Sequence, residues 1–130
     1  MVSPHPWFRL HSQMANSERL RELYTVQGRE PVRINAQDAA DRGIEDGDLV
    51  ELYNDRASVL GIVDVTERVP AGIIHSYGCS AKYDPLVPGK AGTTDKAGCG
   101  NLLTSSRMVS KHAPGMTSNS CLCEVRKWEG

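Results

Sequence analysis

PVRINAQDAADRGIEDGDLVELYNDRASVLGIVDVTERVPAGII, residues 31–74, decides the fold. Pro31 opens a short apolar run, and EPVRI reads as a strand. NAQDAADRG reads as a helix, with Asn35 as its cap and Gly43 as its stop. Asp46-Gly47 supplies a turn that needs a positive φ. LVELYN then reads as a strand with Val50 and Leu52 on one face, and Asp55-Arg56-Ala57 turns the chain. SVLGIVDVTE is a longer strand with Val59, Gly61, Val63 and Val65 on one face and Leu60 and Ile62 on the other. A strand apolar on both faces is buried on both, wholly or in part. Gly61 inside it predicts a bulge or sharp bend, as closed barrels need.

Outward from this stretch, NSERLRELY reads as a short amphipathic helix. Asn16 or Ser17 is its cap, and Leu20, Leu23 and Tyr24 form its apolar stripe. IIHSY and CLCEVRKW read as further strands. Gly78 to Gly100 lacks periodicity and reads as a long loop, functional or mobile. Many short strands, two small helices and Gly/Pro punctuation predict a small barrel, with Val50, Leu52, Val63, Val65 and Ile73 in its core.

The 130 residues suffice for one domain, 1–130, around one core. A formal net charge of −1 offers no field for nucleic acid or an anionic membrane. The apolar runs, such as Gly61-Ile62-Val63, are too short to insert into a bilayer. The first ten residues carry two prolines, His5 and Arg9, and do not read as a signal peptide. Cytoplasmic and periplasmic locations both stay open. The four cysteines include one C-x-C pair, Cys121 and Cys123, and no C-x2-C pair. They read as small buried residues rather than metal ligands.

The opening SPHPWFRLHSQ, residues 3–13, is the densest polar stretch. Read as extended chain, it points Trp7, Arg9 and His11 one way and Phe8, Leu10 and Ser12 the other. Phe8 and Leu10 then anchor it, and the first set is either presented to a ligand or solvated on a proline-stiffened edge strand. His5 and His11 would lie about 20 Å apart in a strand, too far for a shared metal. PGKAGTT and GCGNLL both fail as nucleotide motifs. Even so, AGCGNLLTSS sets two glycines beside Asn101 and three hydroxyls, which suits a diphosphate or a heterocycle edge. SKHAPGMTSNS adds Lys111, His112 and Asn119. No Ser/His/Asp set, carboxylate dyad or nucleophile elbow is present.

The order of the pieces carries more than any one of them. SPHPWFRLHSQ, then residues 31–74, then GNLLT, then CEVRKW resembles the C-terminal molybdopterin-dinucleotide-binding domain of the dimethyl-sulfoxide-reductase family of molybdenum and tungsten oxidoreductases. The resemblance covers nearly the whole chain. It implies a mainly β fold, a six-stranded double-psi barrel with short helices, like that of aspartate decarboxylase. It implies molybdopterin guanine dinucleotide, with molybdenum or tungsten, shared with domains outside this chain. Ser3, Pro4, His5, Trp7, Arg9, His11, Ser12 and Gln13 are the implied contacts from the opening, with Asn101 and Asn119 further on. Tyr77 and Tyr83 compete for an aromatic contact. The metal ligand and any iron–sulfur cluster belong to the parent enzyme's earlier domains. The chain is then an excised or detached domain that catalyses nothing alone. Its partners are the remaining domains, with an electron-transfer subunit as a further candidate. The alternative is a free-standing double-psi barrel serving as a protein-interaction module, which has no use for both SPHPWFRLHSQ and GNLLT.

Overall fold

The computed structural model describes residues 1–78, 80, 82–116 and 121–130. The chain is mainly β. Its helices are α1 (Glu18–Glu22), α2 (Ala36–Ala40) and a 3-10 turn at Gly100–Leu103. The strands are β1 (Pro31–Ile34), β2 (Leu49–Tyr53), β3 (Ser58–Val65), β4 (Ile74–Ser76), β5 (Met108–Ser110), β6 (Ala113–Met116) and β7 (Glu124–Lys127). Five strands form one sheet in the order β4-β1-β3-β2-β7, and β5 pairs with β6 in a separate hairpin. That hairpin falls in a stretch read from sequence only as a polar contact region.

The central pairing is β1 with β3, parallel, with Val32 opposite Val63. β2 pairs antiparallel with β3 through a tight turn, and Asn54 closes it: its Oδ1 accepts from Arg56 N at 2.9 Å. β3 is buried over most of its length, as expected for a strand apolar on both faces. α2 starts where the sequence places it, because Asn35 Oδ1 accepts from Gln37 N at 3.0 Å. Gly43 and Gly47 take φ of +63° and +83°, as the turn reading requires.

Three expectations need correction. Gly61 makes no bulge: β3 runs in unbroken register against both neighbours. Its role is proximity, since a Cβ there would lie 2.4 Å from Val32 Cγ2 and 3.0 Å from Glu30 O. Val50, Leu52 and Val63 are core residues as expected, while Val65 is only partly buried against the core. Ile73 is half-buried and lies outside the core cluster, while its neighbour Ile74 packs against it, partly buried. In α1, Ser17 occupies the cap position without a side-chain bond, and Leu23 is exposed. Only Tyr24 of the apolar stripe is buried.

Most of the Gly78–Gly100 loop is anchored by one buried carboxylate. Asp95 accepts from Asp84 N at 2.7 Å, Cys99 N at 2.8 Å and Ala97 N at 3.2 Å. Its backbone joins the outer end of β3, donating to Ser58 O at 3.0 Å and accepting from Leu60 N at 2.9 Å. Three amide donors and two main-chain bonds hold a segment whose composition carries no strand pattern.

Gly61→Ala is expected to destabilise the domain by about 1–3 kcal/mol, because the new methyl forces β1 away from β3. Val63→Asp is expected to cost about 3–5 kcal/mol through an unpaired buried charge. Urea unfolding midpoints measure both, and an unchanged midpoint for either variant contradicts the β1–β3 register.

Candidate functional site

The opening segment is a series of turns rather than a strand. His11 and Met14 adopt positive φ, 52° and 62°, and Gln13 N donates to Leu10 O at 2.8 Å. The turns invert the expected alternation. Phe8 and Leu10, expected as anchors, are 40% and 60% exposed, whereas Arg9, expected to face a ligand, is 5% exposed. Arg9 is the anchor.

Its guanidinium is enclosed by polar partners. Nη2 donates to both Glu30 carboxylate oxygens at 3.3 Å, Nε to Tyr24 Oη at 3.1 Å, and Nη1 to Gly78 O at 2.9 Å and to His11 O. Tyr24 Oη also donates to Glu30 Oε1 at 3.4 Å. Burial pushes the Glu30 carboxyl above its usual range, and Arg9 only partly offsets this. Burial and then the Glu30 charge push the Tyr24 phenol up as well.

An aromatic cluster extends from this network. Phe8 stacks on Tyr24 at 6.5 Å, Tyr24 meets Tyr77 edge-on at 5.9 Å, and Tyr77 meets His75 at 5.2 Å. Arg33 lies over the Tyr77 ring at 5.0 Å and pairs with Asp64 at 2.7 Å. Burial, then the Arg33 charge, holds the His75 imidazole below its usual range. Glu30, Tyr24, Arg33 and His75 were not singled out from sequence. Each sits in a strand or helix context that reads as structural, and only the fold brings them beside the opening segment.

The same turns bring together residues that extended chain would separate. The His5 and His11 rings lie 4.0 Å apart, where a strand would hold them about 20 Å apart. Trp7 is 95% exposed, and Ser12 and Gln13 are exposed beside it in sequence. Pro4 O accepts from Gly78 N at 3.1 Å. Ser3 Oγ lies 3.7 Å from the position a Cβ would take on Gly100, the residue before Asn101. Ser3 of the opening segment therefore lies against Gly100, which precedes the exposed Asn101. Tyr77 belongs to this region through Tyr24, while Tyr83 is exposed on the Gly78–Gly100 loop. Asn119 lies outside the described residues. Among the described residues, no group of three or more His, Cys, Asp and Glu side chains could hold a metal ion. Cys99, Cys121 and Cys123 are free thiols, and burial pushes the Cys123 thiol up to about 11.

The chain belongs to the molydopterin dinucleotide binding domain family, whose model matches residues 1–122. It is 43% identical over 139 residues to the pyrogallol hydroxytransferase large subunit of Pelobacter acidigallici. It is 42% identical over 131 residues to trimethylamine-N-oxide reductase of Haemophilus influenzae, and 44% over 130 residues to dimethyl sulfoxide/trimethylamine N-oxide reductase of Cereibacter sphaeroides. All of this chain is covered in each case, but it spans only 16% of each relative. Among solved structures, acetylene hydratase from Pelobacter acetylenicus superposes with a TM-score of 0.72 at 12% identity, over 98% of this chain and 18% of that one.

Arg9→Ala is expected to destabilise the domain by about 3–5 kcal/mol, because it strands the buried Glu30 carboxylate. The raised Glu30 pKa also has a pH signature. Between the unfolded carboxylate value, about 4.3, and the higher native value, the folded state holds a proton that the unfolded state has lost. Stability therefore falls as pH rises through that window. Glu30→Gln cannot ionise, so this component of the slope disappears in a urea series from acid to neutral pH.

Proposed function

We propose that this domain binds and orients molybdopterin guanine dinucleotide, carrying molybdenum or tungsten, as one part of a larger oxidoreductase. The finer fold goes with it: the strands belong to a six-stranded double-psi barrel. The observation that carries the reading is the opening turn region. Arg9 ties it down from beneath, while His5, His11, Ser12 and Gln13 stay exposed.

The donor set fits such a ligand. A pterin or guanine presents an amide-and-amine edge that Gln13 and Asn101 can match with paired hydrogen bonds. His5, His11 and Ser12 offer donors for a diphosphate. Trp7 offers a ring face for stacking on a heterocycle, and Tyr77 a second, half-buried one. Arg9 acts by holding the segment rather than by touching the ligand. The cofactor supplies the redox chemistry when bound, and this chain supplies binding and orientation. The metal ligand and any iron–sulfur cluster then lie on the remaining domains, and the isolated chain turns over nothing.

The remaining domains of the parent polypeptide are the proposed partners. Trp7, Leu10, Met14 and Leu23 are 95%, 60%, 64% and 57% exposed. Apolar exposure gathered in residues 7–23 suits burial against further protein. An electron-transfer subunit is the second proposed partner, docking on those other domains.

In the full-length enzyme, Trp7→Ala, His11→Ala and Asn101→Ala are expected to lower molybdenum and guanine-nucleotide content. A lost contact worth about 1 kcal/mol weakens binding roughly fivefold. These exposed positions should change the thermal midpoint of the domain by no more than about 0.5 kcal/mol equivalent. Full occupancy in all three variants removes the reading.

A further inference from the structure

Asn54, the residue after β2, bonds the main chain of three separate segments with its side chain. Its Oδ1 accepts from Arg56 N at 2.9 Å and from Ala57 N at 3.3 Å, which closes the β2–β3 turn. Its Nδ2 donates to Leu103 O at 2.8 Å and to Leu122 O at 3.0 Å. A carboxamide offers two acceptor sites and two donor hydrogens, and here all four have partners. The turn needs only the oxygen. The nitrogen reaches 49 residues along the chain for Leu103 and 68 for Leu122.

Leu103 is the last residue of the Gly100–Leu103 turn, and its side chain is fully buried. Cys121 Sγ also donates to its carbonyl, at 3.0 Å, but a thiol is a weak donor. Asn54 is therefore the stronger hold on that end. The other end is held by Asp95, whose Oδ2 accepts from Cys99 N at 2.8 Å. A short 3-10 turn has poor hydrogen-bond geometry of its own, so its placement depends on what holds its ends.

Asn101 lies between the two holds. Its carbonyl accepts from Thr104 N at 3.2 Å and from Thr104 Oγ1 at 2.8 Å. Its main chain is thus tied to the end that Asn54 grips. Gly100 in the same turn packs against the opening segment: a Cβ there would lie 3.6 Å from Met1 Cε and 3.7 Å from Ser3 Oγ.

We propose that Asn54 is a positioning residue for Asn101, fixing Leu103 O and thereby the turn that presents Asn101 to the ligand. It acts through the main chain of the turn and not by contact with the ligand. Binding groups keep their geometry when the residues behind them are locked by hydrogen bonds. The proposal rests on the reading of Asn101 as a cofactor contact and adds what aims it. In sequence, an asparagine between two strands reads as turn chemistry, which accounts for its oxygen alone.

Asn54→Ser in the full-length polypeptide tests this. The serine hydroxyl can still accept from Arg56 N, but it is too short to reach Leu103 O. Guanine-nucleotide content is expected to fall, by no more than the roughly fivefold weakening that a lost Asn101 contact gives. Asn54→Asp keeps the oxygen that closes the turn and sets an acceptor against Leu103 O, so it should also lower the content. In an Asn101→Ala background, neither variant should lower it further. Full content in either single variant, or losses that multiply in the double variants, would overturn the proposal. Full content in Asn101→Ala alone strikes the reading of Asn101 as a contact, and the proposal with it. Amide exchange separates this role from general destabilisation. The Thr104 N–H should exchange faster in Asn54→Ser, while the Val63 N–H, which donates to Asp48 O at 2.9 Å, keeps its rate. Equal acceleration at both makes Asn54 a residue of the fold as a whole and overturns its assignment to Asn101.

Discussion

The burial of Glu30 is the constraint on which the rest depends. Its main chain leads into β1, and its carbonyl accepts from Ile62 N at 3.2 Å, which starts the parallel pairing with β3. Its side chain holds Arg9 and Tyr24. Its Cβ would lie only 3.0 Å from a Cβ on Gly98, so the end of the long loop closes over it. A carboxylate in this position is costly unless it is paired. The opening turns carry the cation that pairs it. The sheet, the opening segment and the loop are therefore joined through one buried ion pair.

That arrangement explains how irregular chain can be held in place. Turns without regular hydrogen bonding are ordinarily the least stable part of a domain. Here Arg9 bonds beneath them to Tyr24, Glu30 and Gly78 outside the turn segment and to His11 O within it. Above it, the His5, His11, Ser12 and Gln13 side chains stay exposed. The loop at Gly78–Gly100 follows the same logic, with Asp95 as its buried acceptor and the outer end of β3 as its support. In both cases a buried charged side chain organises main chain that has little secondary structure.

The glycines follow from the same closeness. Gly61 lets β1 approach β3, and Gly98 lets the loop approach Glu30 and Leu60 O, each with a Cβ position already at or inside contact distance. Gly98 also needs its positive φ of +78°. The domain buries a small core by bringing backbones together. A chain with 5% aromatic residues has few large side chains with which to fill wider spacing.

Local chemistry is legible in the linear order of residues. Asn35 as a cap, Gly43 and Gly47 as positive-φ turns, and the apolar alternation of β2 and β3 each depend on neighbours within a few positions. The family resemblance is legible for the same reason, since it rests on contiguous motifs. His5, Trp7, His11 and Asn101 are exposed. The role of Arg9 was not legible. A strand reading sends it outward with Trp7, and only Glu30, 21 residues on, draws it in. The closeness of His5 and His11, the close-approach role of Gly61 and the anchoring of the loop by Asp95 have the same origin. Sequence by itself determined the elements whose hydrogen bonds close within a few residues. Tertiary structure decided which way the irregular segments face, because a buried charge takes its partner from whatever the fold brings near.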